Sequence, residues 1–291
     1  MLLGKSAVAQ DILVRAREGS AAAEPDQVFD AFCSAAQAAL EAVAPIDGRW
    51  YLERSLQESR RCAAELGALG AFHGQSIALC YVGVSAMHLG VHAEARDACI
   101  ESCRLARKAS VKIRDPWPYL FLAKAYLRLG QPDDALQAIQ PLLSSADSTA
   151  RQMVPILVGE ALLLQGKLRE AEEQVTTAFA GASPRLQRLA ACVLARAQLA
   201  RGETTEALRT IELALEARTS SGLESGLDLM NLKAECLIAC GQHEPAKRVV
   251  ARTRDLVLKL AADIASPELK LSFLNNVEPC ARALQLHEQL S

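Results

Sequence analysis

Gly4-Lys5-Ser6 has the residue order that closes a phosphate-binding loop, where backbone N–H groups cradle phosphates and a lysine reaches the outermost one. Only three residues precede Gly4, which leaves no upstream glycine or strand. An ordinary helix N-terminus is therefore expected, the relic of a severed ATPase module being the other reading. Cys99 with Cys103, and Cys236 with Cys240, are i,i+4 pairs on one helix face, and His243 follows the second pair. Such spacing can hold a metal ion. Gly241 interrupts the helix before His243 and no second ligand pair is apparent, so small core residues are expected and no metal. His88 and His92 straddle Gly90 in a similar way. Asp133-Asp134 and Glu172-Glu173 fall in the first half of helices, where negative charge suits the dipole, and no apolar cleft shifts them into acid–base range. The run Arg104 to Arg114 (RLARKASVKIR) holds five basic residues without an acid. A helix C-terminus followed by a solvated loop accounts for it, and recognition of phosphate or an acidic peptide is the sharper reading.

None of these constellations is a catalytic set, so the elements that carry them matter more than any single side chain. Five glycines, Gly90, Gly130, Gly166, Gly202 and Gly241, recur at intervals of 40, 36, 36 and 39 residues. Seven residues before each stands a small residue: Gly83, Ala123, Gly159, Ala195 and Ala234. Five residues after each stands an alanine: Ala95, Ala135, Ala171, Ala207 and Ala246. Two antiparallel helices approach closely only where side chains are small, and a glycine between them supplies the positive φ that ends the first helix. A period of this length predicts stacked helical hairpins, an architecture that presents surfaces rather than pockets.

Composition narrows the function classes. Of the 291 residues 51% are hydrophobic and only 4% aromatic, with Ala and Leu supplying most of the excess, as helix-on-helix packing requires. A formal charge of −2 offers no electrostatic case for nucleic acid or an anionic membrane. No run approaches the ~20 apolar residues that span a bilayer, and the N-terminus lacks the apolar core of a signal peptide. Nine cysteines without CxxC spacing fit reduced thiols in a cytoplasmic protein.

Along the chain, a helix is expected over Ala7 to Glu18, a loop over Gly19 to Asp26, and a second helix to about Val43. A turn at Pro45 to Gly48 leads into a helix from Arg49 to Leu66. Residues 1–70 thus form an N-terminal helix and a degenerate first pair lacking the glycine frame, a cap. Residues 71–262 carry the five repeats, separated by breakers at Asp115-Pro116, Ser144 to Ser148, Ser183-Pro184 and Ser220 to Gly222. Residues 263–291 are expected to form two capping helices, opened by Ser266-Pro267 and Glu278-Pro279.

The repeated segments, for example YLFLAKAYLRLGQPDDALQAIQPLL and PILVGEALLLQGKLREAEEQVTTAF, resemble the tetratricopeptide repeat. The likeness is good at the small residues and at Cys99, Ile139, Val175, Ile211 and Val250, and poor at the closing proline and at the first-helix aromatic, which only Tyr126 supplies. It implies an all-α, right-handed superhelical solenoid of antiparallel hairpins whose first helices line a concave face. The positions 13, 10, 9, 6, 3 and 2 before each glycine then point inward. They include Tyr81 and Val84, Trp117 and Phe121, Met153 and Leu157, Leu189 and Val193, an apolar trough that turns polar only at Asp228, Asn231 and Glu235. The row six before each glycine, Val84, Lys124, Glu160, Arg196 and Glu235, alternates in sign, which suggests pairing between neighbouring helices. The last seventy residues also resemble the end of the repeat region attached to large bacterial Ser/Thr protein kinases and related ATPase regulators. Ile264, Pro267, Ser272, Phe273, Leu274 and Val277 match its I-x-x-P-x-x-x-x-S-F-L-x-x-V segment and Ala281, Arg282 and Leu284 its final Ala/Leu helix, while Pro279-Cys280-Ala281-Arg282 departs from the Glu-Asn-x-Arg usual before that helix. No kinase motif accompanies it.

A contiguous apolar trough marks an interface unless the chain covers it. The expectation is a non-enzymatic binding module without cofactor, a regulatory or scaffolding part of a bacterial signalling system. Its partner is a protein or peptide, an amphipathic helix among the candidates, with a kinase or ATPase module fused or encoded nearby. Tyr81, Val84, Trp117, Phe121, Leu157 and Val193 supply the grip, and Lys124, Glu160 and Arg196 set register. The alternatives are a sensor that encloses a small apolar ligand or signalling peptide, and a trough covered by the N-terminal helix or by superhelical closure.

Overall fold

Among the described residues six glycines adopt positive φ, between 67 and 81°: the five of the repeat frame and Gly70. Each ends a helix in the same hydrogen-bonded turn. The residue after the glycine donates its N–H to the carbonyl five residues earlier, as Val91 does to Ala86 at 2.8 Å and Glu203 to Gln198 at 2.9 Å. Gly70 was not expected in this role. Ala63 stands seven residues before it, but Gln75 replaces the alanine five after, and half a frame is easily overlooked.

The computed structural model describes residues 51–108, 116–179, 183–216 and 223–291. The Gly4-Lys5-Ser6 motif, the helices expected over residues 7–18 and 26–43, the turn at 45–48, most of the basic run after Lys108 and the Ser220 to Gly222 breaker lie outside them. Thirteen helices make up the described residues. They are α1 (Leu52–Ala68), α2 (Phe72–His88), α3 (His92–Lys108), α4 (Trp117–Arg128), α5 (Pro132–Ile139), α6 (Ser148–Leu164), α7 (Leu168–Phe179), α8 (Pro184–Ala200), α9 (Thr204–Glu216), α10 (Leu223–Ala239), α11 (His243–Ala262), α12 (Pro267–Asn276) and α13 (Glu278–Leu290).

The hairpins nest through the small residues. A Cβ on Gly83 would overlap the Cys99 sulfur, and one on Gly159 would overlap Val175 and lie 3.2 Å from Val193 Cγ1. Ala123, Ala195 and Ala234 are fully buried, as are Ala95, Ala135, Ala171, Ala207 and Ala246. Chain breakers set the helix starts. Asp147 caps α6 by accepting from Thr149 N at 2.8 Å and Ala150 N at 2.9 Å, and Ser266 caps α12 by accepting from Leu269 N. The second helix of the second hairpin stops early. Pro141 has no N–H to give, and α5 tightens into a 3₁₀ turn at Gln140–Leu142.

The array closes on itself. One continuous core joins Leu52 and Leu56 of α1 and Val82, Met87 and Leu89 of the α2 turn to Val257, Ile264, Phe273, Val277 and Cys280. Polar contacts pin this clasp. Glu53 Oε2 accepts from Ala265 N at 2.7 Å and Ser266 N at 3.2 Å, capping the backbone ahead of α12. His92 Nε2 lies 2.9 Å from Asn276 O, and Asn276 Nδ2 donates to Gly90 O at 3.3 Å. The segment Ile264 to Val277 is the clasp itself: Phe273 is fully buried and Ile264 and Val277 nearly so. The C-terminal pair therefore covers α11 and also reaches the first hairpin, which a simple cap would not do.

Candidate functional site

First helices do face inward, but the trough is open over only part of its expected length. From Val82 to Leu89, α2 is buried around its whole circumference, and Val84 is 3% exposed. Val193 is 2% exposed because it fills the notch left by Gly159. Neither offers a surface to a guest, which corrects the sequence-based assignment of both. Tyr81 is half-buried and does not line the open stretch.

What remains open is a cavity of about 380 Å³ between α4, α6, α8, the start of α10 and Pro279 of α13. Trp117, Phe121, Lys124, Leu157 and Glu160 line it, five of the nine residues expected from the sequence. Trp117 is 39% exposed although it stacks on Phe121, with centroids 5.3 Å apart and an interplanar angle of 21°. Met153, Ile156, Leu186 and Leu189 extend the apolar wall.

The cavity reaches deeper along the helices than the repeat frame indicated. Thr149, Gln152, Arg185, Leu186 and Ser225 lie 14 to 17 residues before their glycines, one turn beyond the positions taken as inward. The signal was present: α6 and α8 run for 17 residues, and stepping back three or four from Met153 and Leu189 along the same face reaches these side chains.

The charged row forms ion pairs, but diagonally. Glu160 pairs with Arg128 at 3.5 Å and Arg196 with Asp228 at 2.6 Å, both across 32 residues, and Arg196 also reaches Glu278 of α13 at 2.8 Å. Glu235 pairs with Arg282 at 2.5 Å. Glu160 and Arg196 thus each meet a residue elsewhere in the frame of the adjacent repeat, because adjacent hairpins are rotated against each other, while Glu235 meets the C-terminal helix α13. Burial works against the Arg196 charge, yet the Asp228 and Glu278 carboxylates hold its guanidinium firmly protonated.

Two cations on α8 have no such match. Arg185 lines the cavity; its side chain still reaches solvent, while neighbouring protein displaces water from the guanidinium and lowers its pKa. Arg188, between Arg185 and the lining residue Cys192, is 8% exposed, and its Nε has no hydrogen-bond partner. Desolvation lowers its pKa as well.

Three of the four paired cysteines, Cys99, Cys103 and Cys236, are core residues, whereas Cys240, expected in the core, is at the surface. Cys99 and Cys103 are buried, and burial pushes the Cys103 thiol up to about 12 and Cys99 higher still. Burial likewise pushes Cys236 up to about 12, while its neighbour Cys240 is exposed. Thiols so resistant to ionisation are poor ligands. No helix among the described residues is long and apolar enough to cross a membrane.

A family model described as tetratricopeptide repeat matches residues 116–141 and 189–212, the second hairpin and most of the fourth. Neither stretch extends into the clasp segment on which the kinase-region resemblance rests. The chain has a tetratricopeptide-like solenoid fold. Among solved structures it is similar to NprR in complex with its cognate peptide NprX, with a TM-score of 0.63 and 12% identity over 99% of this chain and 83% of that one. It is also similar to a Rap protein complexed with competence and sporulation factor, with a TM-score of 0.57 and 12% identity over 91% of this chain and 77% of the other. The apo form of the quorum sensor NprR from B. thuringiensis gives a TM-score of 0.54 at 13% identity, over 95% of this chain and 80% of that one. No curated protein sequence matches significantly.

Proposed function

We propose that this chain is a non-enzymatic regulatory module of a bacterial signalling system that binds a peptide segment in the cavity between α4, α6 and α8. The observation that carries the reading is the cavity itself, an apolar recess with the partly exposed, stacked Trp117 at its wall. Large rigid aromatics in a recess are the usual anchors of binding energy. The structural neighbours solved with NprX and with competence and sporulation factor support a peptide as the class of guest. Trp117, Phe121 and Leu157 grip apolar side chains, while Lys124 and Glu160 set register; Arg196, expected beside them from the sequence, is not among the lining residues and is held by Asp228 and Glu278.

The volume favours one form of peptide. About 380 Å³ is at the lower end of the range for ligand sites, roughly 300–1,000 Å³. An α-helix, about 10–12 Å across with its side chains, needs more room than this for even two turns. An extended end of a few residues fits. The resemblance read in the C-terminal segment is the ground for a kinase or ATPase as the output partner, and finding a kinase reading frame beside this one would strengthen it.

The test is enrichment of peptides from a randomised hexapeptide library on immobilised protein. Wild type is expected to retain a set rich in apolar residues, and the Trp117→Glu/Phe121→Glu variant to lose it by tenfold or more while circular dichroism stays helical. Retention of the same set by the folded variant overturns the proposal. A second reading, enclosure of a small apolar ligand, is favoured by the recessed shape of the cavity. Native mass spectrometry of freshly purified protein separates the two, since a bound mass of a few hundred daltons supports the small ligand.

A further inference from the structure

We propose that Arg185 and Arg188 form the specificity element of the cavity, a paired guanidinium seat that receives a carboxylate of the bound peptide. The inference rests on the peptide-binding reading above and adds the chemistry that selects among peptides.

Charge accounting around the cavity motivates it. The acids there are already matched: Glu160 by Arg128, and Asp228 by Arg196. Arg185 and Arg188 are matched by nothing among the described residues, and no carboxylate acts on either. Their placement makes this costly. Both lie in the first turns of α8, where the helix dipole is itself positive and no acidic residue is present to offset it. Arg188 is 8% exposed with its Nε buried and unsatisfied. Arginine is almost never buried this deeply without a partner, and a buried donor left unmade costs the full desolvation of the group.

An anion supplied from outside resolves the conflict. Arg185 reaches the cavity wall directly, and Arg188 follows it by three residues on the stripe that continues to Cys192, another lining residue. The two residues are thus one helical turn apart, Arg185 in the wall of the recess and the buried Arg188 outside its lining residues. Guanidinium and carboxylate geometries match bidentately. The apolar wall of Leu186, Leu189 and Leu157 beside it would take the neighbouring side chain. A peptide offers the carboxylate from two sources, its C-terminus or an Asp or Glu side chain.

The experiment uses the full chain and two hexapeptide libraries, one with free C-terminal carboxylates and one amidated. Enrichment of free over amidated peptides by about tenfold or more assigns the seat to the C-terminus, since charge-assisted pairs contribute on that scale. Enrichment of Asp- or Glu-bearing peptides from the amidated library assigns it to an acidic side chain. In either case Arg185→Gln/Arg188→Gln is expected to abolish the preference for carboxylate while still retaining apolar peptides, with helicity unchanged. Retention of apolar peptides by wild type without regard to any carboxylate overturns this inference and leaves peptide binding standing. No retention from either library overturns both. Should the double variant unfold, Arg185→Gln alone, at a partly solvent-exposed position, gives the same readout.

Discussion

Gly90 and Gly130 close their helices with nearly the same backbone, at φ 77 and 69°, yet replacing each by alanine is expected to have different consequences. An alanine at either position meets the left-handed strain of an L-residue, about 1–2 kcal/mol. At Gly130 nothing else lies within 4 Å of the added methyl, so strain is the whole cost. At Gly90 the methyl would sit 2.6 Å from the carbonyl oxygen of Ser272 and 2.9 Å from Asn276 Cβ. The first is backbone in the middle of α12 and cannot swing aside as a side-chain tip does. Relief requires α12 to move, which pulls Asn276 away from Gly90 O and His92 and loosens the fully buried Phe273. Overpacking of this kind costs about 1–3 kcal/mol, so Gly90→Ala is expected to lose roughly 2–5 kcal/mol in total and Gly130→Ala roughly 1–2. Urea unfolding followed by circular dichroism measures both, and small-angle scattering should report a larger radius of gyration for Gly90→Ala alone. Equal destabilisation with unchanged dimensions would refute the closed clasp.

Three further outcomes are expected. Arg196→Ala strands Asp228 and Glu278 beside each other at the edge of the cavity; a loss of about 1–3 kcal/mol is expected, reduced from the fully buried case because the Arg196 side chain is 31% exposed. If Arg196→Ala instead leaves the urea midpoint unchanged, the diagonal pairing has no structural weight. Alkaline pH should weaken the fold through its thiols. Cys103 titrates near 12 when folded against an ordinary 9.0, so the unfolded chain ionises first. The stability from this group is complete below pH ~8.5 and is lost as pH climbs towards 12, by about 1 kcal/mol per unit. Cys103→Ala should flatten that slope between pH 9 and 11, and an unchanged slope contradicts the burial argument. Among the described cysteines only Cys240 is exposed, so Cys240→Ser should remove one rapidly reacting thiol from the native protein in a thiol-labelling time course.

The periodic part of the fold was legible because each frame residue answers a local demand. A left-handed turn needs glycine at Gly130, and a close crossing needs Gly159 opposite Val175. Such demands repeat in sequence and can be read without coordinates. The site was half legible for the same reason: Trp117, Phe121 and Leu157 sit where the repeat puts them. Val84 and Val193 did not follow, since whether an inward side chain is open or filled depends on what lies across from it, here the wrapped α2 and the notch at Gly159. The clasp was out of reach on similar grounds. Glu53 capping Ala265 and Ser266 joins residues more than two hundred positions apart, and no local pattern in either segment announces the other.

That long-range join has a bearing on how such a chain is made and altered. An open stack tolerates the gain or loss of a unit, because each unit answers only to its neighbours. Once the two ends of the stack must meet, the number of units and the turn between them become a single fixed quantity, and deleting any one leaves Phe273 without its socket. The join also carries the widest sequence separation among the described residues, so it pays the largest loop entropy there and should form last, after local hairpins have already assembled.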